Sequence, residues 1–269
     1  MNANSTPMTK GARARAAMIL LAATGIGALS ALSGTPVFGQ ATARPNLTGA
    51  WVPASFGRGR GGGSDPALAP PPPGPVVLRP PYAERYSAQR EADAAATKQG
   101  TPPASAAVAC LPYGMPRMMA VASYPVEILP TPGQITIITE AFSEVRRVFM
   151  DQPQLPIDEV PPGYYGHSVG RWEGDTLTID TVGIAESVPS YQGLPHSDRM
   201  RITERLRLAA PDVLHDQITI EDPVVLAQPV VYTLAYRRLS DYKMVEFICD
   251  NNREYVDEQG RVRMRIGTR

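Results

Sequence analysis

Two histidines and a carboxylate could move protons in this chain: His167, His196 and Glu204, with Arg171 able to steady a negative charge beside them. Glu204 stands out by strand parity. In RMRITERLRL, Met200, Ile202, Glu204, Leu206 and Leu208 share one face, and Arg199, Arg201, Thr203, Arg205 and Arg207 the other. The arginine face belongs in water, so Glu204 points inward among aliphatics. A carboxylate placed there must pair, accept hydrogen bonds or keep its proton. With a raised pKa and a nearby histidine it would be a general acid or base, suited to a lyase, isomerase or dehydratase. The alternative is a buried pair of Glu204 with an arginine or tyrosine that only holds strands together.

Other chemistries fit less well. His196-Ser197-Asp198 contains the residue types of a hydrolase triad, but no G-x-S-x-G elbow is present, and adjacency along the chain is not triad geometry. A zinc site from His167, His196 and Glu204 lacks H-x-H or H-E-x-x-H spacing. Neither a metal nor an organic cofactor is called for. A ligand pocket has its own candidates. Tyr232 and Tyr236 share the inward face of PVVYTLAYRR, and their hydroxyls need partners. Arg146 and Arg147 point to opposite faces, so one is inward and could meet Glu204 or an anionic ligand group. Tyr165 precedes His167, and Met115 lies in an apolar loop, CLPYGMPRMM, whose methionines suit an adaptable wall or a plug. Asp216 shares the apolar parity of Leu214, Ile218 and Ile220, while His215 faces out.

These residues sit on a chain of strands. Period-two runs recur from Val126 to Cys249, separated by Gly, Pro and Asp turns, with about eight strands and no alternating helices. Asn46–Trp51 reads as a short first strand, Met244–Cys249 as a late one, and Glu173-Gly174-Asp175 as a tight hairpin turn. The class is all-β: an antiparallel meander, with a calycin- or lipocalin-like barrel favoured over a β-sandwich. Tyr82–Lys98 is rich in Ala, Glu, Gln and Arg and reads as one N-terminal surface helix.

Before the strands, residues 1–41 carry a basic start (Lys10, Arg13, Arg15), an apolar run and small residues, the layout of a signal peptide. Residues 42–109 hold a Gly/Pro-rich arm and the helix, residues 110–252 the barrel, and residues 253–269 a charged tail. Cleavage would leave no stable membrane span, and the protein would be periplasmic or secreted. Cys110 and Cys249 are the two cysteines of the chain; in an oxidising compartment they read as one disulfide. With 26 basic and 26 acidic residues and no basic block, nothing points to nucleic acid.

The stretch HSVGRWEGDTLTIDTVG, with CLPYGMPR upstream and LPHSD and ITERLRL downstream, resembles a family of exported bacterial proteins. Its members share an N-L-T-G-x-W start, a C-L-P-x-G-x-P loop and an H-S-V-G-x-W-E-G-D-T-L hairpin. The resemblance spans Asn46 to about Asn252 and implies export, a domain boundary and a common fold; it carries no catalytic assignment. The reading that follows is an exported β-barrel that binds a small, partly apolar molecule. Its alternatives are a cofactor-independent acid–base enzyme and a structural envelope protein.

Overall fold

Nine strands close into one barrel in the computed structural model, which describes residues 44–54, 66–101, 103, 110–121, 124–247, 249, 254–259 and 262–264. They are β1 (Gly49–Pro53), β2 (Val126–Thr131), β3 (Gln134–Thr139), β4 (Glu144–Met150), β5 (His167–Glu173), β6 (Thr176–Val182), β7 (Arg201–Ala210), β8 (Val213–Glu221) and β9 (Val230–Leu239). Neighbours in sequence are neighbours in the sheet, and β9 pairs with β1 to close it. The leader assigned to residues 1–41 and the Gly-rich run at 55–65 lie outside the described residues.

Period-two patterning forms these strands. Along β7 exposed arginines alternate with buried Ile202, Glu204 and Leu206, and β3 buries every second residue. Directly paired residues share a face, so Leu177–Leu206–Asp216–Leu234 and Ile179–Glu204–Ile218–Tyr232 are inward rows running across β6 to β9. The β5–β6 hairpin turns on Gly174 at φ 65°, a conformation glycine adopts without a Cβ clash.

The meander has one exception: β4 and β5 pair in parallel, Val148 opposite Ser168 and Met150 opposite Gly170. The connection through Pro153, Pro156, Pro161 and Pro162 is too extended for a tight hairpin. It carries the chain back to the end of the barrel where β4 began, as a parallel pair requires. The barrel also begins earlier than residue 110, because β1 is one of its staves.

Met244–Phe247 is not a strand. With β9 already joined to β1, no edge is left for another stave. The Val245 amide is taken by Glu140 Oε2 (3.2 Å), which also accepts from the Tyr242 hydroxyl (2.5 Å). Phe247 packs on Phe142, ring centroids 4.6 Å apart. Beyond it, β10 (Glu254–Val256) and β11 (Val262–Met264) form a separate two-stranded ribbon in the tail.

The helix α1 (Tyr82–Lys98) has no buried residue and lies on the surface as expected. The proline arm runs along the outside of β8 and β9. Gly74 donates its amide to Val231 O (2.7 Å), Ala227 donates to Val77 O (2.8 Å), and His215 Nε2 bonds Leu68 O (2.9 Å).

CLPYGMPRMM plugs one end of the barrel, with Met115, Met118 and Met119 all buried. The disulfide Cys110–Cys249 joins the start of this plug to the segment after β9, across 139 residues. Chain entropy makes so long a closure worth on the order of 5 kcal/mol as an upper figure. Replacing both cysteines by serine should cost about 2–5 kcal/mol. Chemical denaturation of the variant should match that of the reduced wild type; equal stability of the oxidised and reduced proteins would show that the link carries no strain-free stabilisation.

Candidate functional site

At the centre of the barrel, Arg146 reaches inward from β4 and touches three other strands. Its Nε donates to Ser168 Oγ on β5 (3.1 Å) and its Nη2 to Thr181 Oγ1 on β6 (2.8 Å). Its Nη1 donates to Glu204 Oε1 on β7 (2.9 Å), and Nη2 also meets Glu204 Oε2. Arg146 is 1% exposed and Glu204 0%. The inward-facing arginine of the Arg146/Arg147 pair is therefore Arg146, and its partner is Glu204. Ser168 and Thr181 also bond each other (2.9 Å). Both lie on the inward parity of HSVG and TLTIDTV, a signal that sequence reading did not use.

Asp216 shares this interior. It is fully buried, and among the described residues neither carboxyl oxygen has a hydrogen-bond partner. Burial pushes its pKa well above the ordinary carboxyl range, and the Glu204 carboxylate pushes it further; the Arg146 charge acts the other way. Asp216 is accordingly a neutral acid. Tyr236, fully buried as well, donates its hydroxyl to Met119 O (2.6 Å), and burial then Asp216 raise its pKa.

Another buried carboxylate holds the plug. Glu144 accepts the amides of Tyr113 (2.7 Å) and Gly114 (3.0 Å) and the hydroxyl of Tyr165. Burial raises its pKa despite these bonds, which act in the opposite direction. Burial and the Glu144 charge likewise push the Tyr165 phenol up. Gly114 is constrained twice, by φ 63° and by the Tyr164 carbonyl and Val188 methyl, each of which a Cβ would approach to 2.6 Å. The plug residues thus dock on β4 through backbone donors, and Met115 closes the interior as part of the core.

The four candidate proton-transfer residues do not come together. Glu204 is inside and committed to Arg146. His167 and Arg171 share the outward parity of β5. His167 Nδ1 contacts Gln154 Oε1 (2.7 Å), and its ring stacks on Phe149 at 5.3 Å. Arg171 forms exposed ion pairs with Glu173 and Asp180, each 2.8 Å. His196 is buried in the loop before β7, where both ring nitrogens face carbonyl oxygens: Nε2 that of Val188 (2.8 Å) and Nδ1 that of Ser197 (3.0 Å). Neither nitrogen is left for a substrate. Ser197 bonds Asp222 through its amide (2.6 Å) and hydroxyl (2.9 Å), so His196-Ser197-Asp198 is a turn clamped by a different aspartate.

Of the expected pocket residues, Tyr232 lines a cleft, while Met115, Tyr165, Tyr236 and Arg146 are spent on plug and core. The cleft lies at the plugged end, has a volume of about 540 Å³, and is walled by Arg90 of α1, Pro116, Arg117 and Ala120 of the plug, and Tyr191, Gln192 and Gly193 with Tyr232. Tyr191 and Tyr232 stack at 4.1 Å. Gln192 has φ 53°, a left-handed conformation unusual for a side chain larger than glycine, and its carbonyl accepts from Tyr86 of α1 (3.0 Å). Neither Arg90, Arg117 nor Tyr191 was legible as a site residue, because the helix, plug and loop that carry them converge only in three dimensions.

A smaller, more apolar cleft of about 450 Å³ lies beside β7 and β8, lined by Ile157, Leu226, Ala227 and three arginines. Two of its three arginines are already engaged. Arg79 donates to Leu226 O (2.9 Å), Arg199 pairs with Asp158 (2.6 Å), and Glu221 lies opposite Arg201 in register.

Comparison with models of protein families finds no match to this chain, and a search of curated proteins finds none either.

Arg146→Met or Glu204→Leu alone should cost about 3–5 kcal/mol, because each strands a buried charge, while the double substitution should recover most of the loss. Additive losses in a denaturation double-mutant cycle would show that the two do not act as a pair. Asp216 holds its proton more tightly when folded than when unfolded, so its contribution to stability falls as pH rises above the ordinary carboxyl range. Asp216→Asn should flatten that decline between about pH 5 and 8, and Asp216→Leu should also add about 1–2 kcal/mol. Urea titrations across pH check both; an unchanged slope in Asp216→Asn rules the aspartate out as its source.

Proposed function

We propose that this is an exported β-barrel protein that binds a small, partly apolar molecule bearing an acidic group, in the cleft at its plugged end. One observation carries the reading. The cleft presents a stacked tyrosine pair beside two guanidinium groups, with no carboxylate in its lining. Tyr191 has one ring face covered by Tyr232, and its other side can take a flat apolar body. Burial above all, with the Glu204 charge adding to it, keeps the Tyr232 phenol protonated, so it offers a neutral surface. Arg90 has no ion-pair partner among the described residues, and Arg117 lies 4.9 Å over the Tyr113 ring. Guanidinium groups held near aromatic faces recognise planar carboxylates and sulfonates well.

Export rests on the leader-like residues 1–41 and the family resemblance, and the disulfide is consistent with an oxidising compartment. Among the described residues no helix is long and apolar enough to cross a membrane. The packed centre of the barrel moves the proposed ligand from the interior to the end, where adaptable methionines back the cleft wall.

An anilinonaphthalene sulfonate, which is flat, apolar and anionic, serves as the probe. The folded protein should bind it saturably. Tyr191→Ala and Arg90→Glu should each weaken binding about tenfold, equivalent to about 1.4 kcal/mol, with unchanged thermal stability. Equal affinity in both variants would remove the cleft as the site. Native mass spectrometry of the protein purified from its own compartment would then identify a retained ligand.

A further inference from the structure

The outward face of β7 to β9 forms a second, chemically different groove. It has a volume of about 310 Å³ and is lined by Thr176, Arg205, Arg207, His215, Gln217 and Thr233, with Pro71 of the arm as one wall. Strand register sets the arrangement. Arg207 lies directly opposite His215, Arg205 opposite Gln217, and Gln217 opposite Thr233. Two adjacent rows of donors therefore face the same space, and no carboxylate lines it.

Not all of these donors are free. Arg205 pairs with Glu173 at 2.9 Å, and both are substantially exposed. His215 spends Nε2 on Leu68 O, which pins the arm over the groove. Arg207 has no ion-pair or hydrogen-bond partner among the described residues, and the side chains of Gln217 and Thr233 are likewise uncommitted. An arginine set directly across from a histidine gains nothing from its neighbour, since cross-strand pairs stabilise through opposite charge or apolar contact. What such a cluster lacks is an anion. A tetrahedral oxyanion offers several acceptors at once, matching a guanidinium, an amide and a hydroxyl that converge from three strands.

We infer that this groove is a binding site for a small hydroxylated molecule carrying a phosphate or sulfate group. Arg207 takes the oxyanion with Gln217 and Thr233, and the polar walls suit a sugar-sized body better than an apolar one. The arm closes one side through its His215 tether. The chemistry differs from that of the cleft beside Tyr191, whose walls are aromatic and apolar, so the two sites are separable by ligand and by mutation.

The test is isothermal titration of the full exported protein with inorganic phosphate, inorganic sulfate and glucose 6-phosphate, with chloride as the control at matched ionic strength. Phosphate or sulfate should bind saturably and glucose 6-phosphate more tightly than phosphate. Arg207→Glu should weaken all three at least tenfold, and Gln217→Ala should weaken them severalfold. Arg85→Glu, the same charge change on α1 outside the groove, should leave them unaltered. The proposal is overturned if chloride gives the same heats, if Arg207→Glu binds as well as wild type, or if Arg85→Glu weakens binding equally. Glucose 6-phosphate binding no tighter than phosphate would overturn the sugar-sized ligand. Arg207 is exposed and has no ion-pair partner among the described residues, so its substitution leaves the fold intact, which a thermal melt of each variant verifies.

Discussion

A buried guanidinium that reaches from β4 to bond three other strands is the constraint on which the barrel depends. Eight of the nine junctions are antiparallel, and the ninth, β4 to β5, is parallel and short. Arg146 stands at that junction and bonds across it to Ser168, then on to Thr181 and Glu204. This junction, with three paired residues, is thus bridged by side-chain bonds. Register is sharply specified there, because a slip of one residue on β4 would turn Arg146 out to solvent and Arg147 in. A buried ion pair gains little net stability over a well-packed apolar pair. Its value here lies in allowing one arrangement of four strands.

Satisfying that interior has a consequence for where function can reside. Arg146, Glu204, Ser168 and Thr181 saturate one another, and the methionine plug covers the end above them. Glu144 fixes the plug to β4, Tyr236 fixes it from β9, and the disulfide ties its first residue to the chain beyond β9. A lipocalin-like outline therefore encloses a core where a ligand cavity would otherwise lie. The open, donor-rich surfaces are at the plugged end and on the outer sheet face beneath the arm.

Much of this was legible in the sequence, and the limits have physical reasons. Period two placed Glu204, Asp216, Tyr232 and Tyr236 inside and His215 outside, since alternation in a strand with one buried face is strict. The turn at Gly174 and the surface helix were readable from local chemistry. The pairing of Arg146 with Glu204 was an open choice, because parity says which face a residue is on and nothing about what stands opposite. Met244–Cys249 read as a strand because its local pattern is strand-like; barrel closure, a global property, left it no partner. His167, His196 and Glu204 looked like a site because strand-end and loop residues can converge. Here the parity of β5 sends His167 outward, and carbonyls occupy both nitrogens of His196.

Asp216 is an interior carboxyl that the network leaves out, and charge balance explains how the barrel tolerates it. Arg146 and Glu204 cancel. An ionised Asp216 would add an uncompensated negative charge beside Glu204 in a medium of low polarisability, which is far costlier than retaining a proton. The neutral acid keeps the interior at zero net charge, at the cost of hydrogen bonds it does not make. The surrounding tyrosines are consistent with this balance. Their phenols are driven toward the neutral form by the same burial and by the Glu204 carboxylate. The interior thus holds one ion pair with a buried acid beside it whose pKa burial raises. Its charge state, as much as its packing, ties the fold to the pH of the compartment in which the protein works.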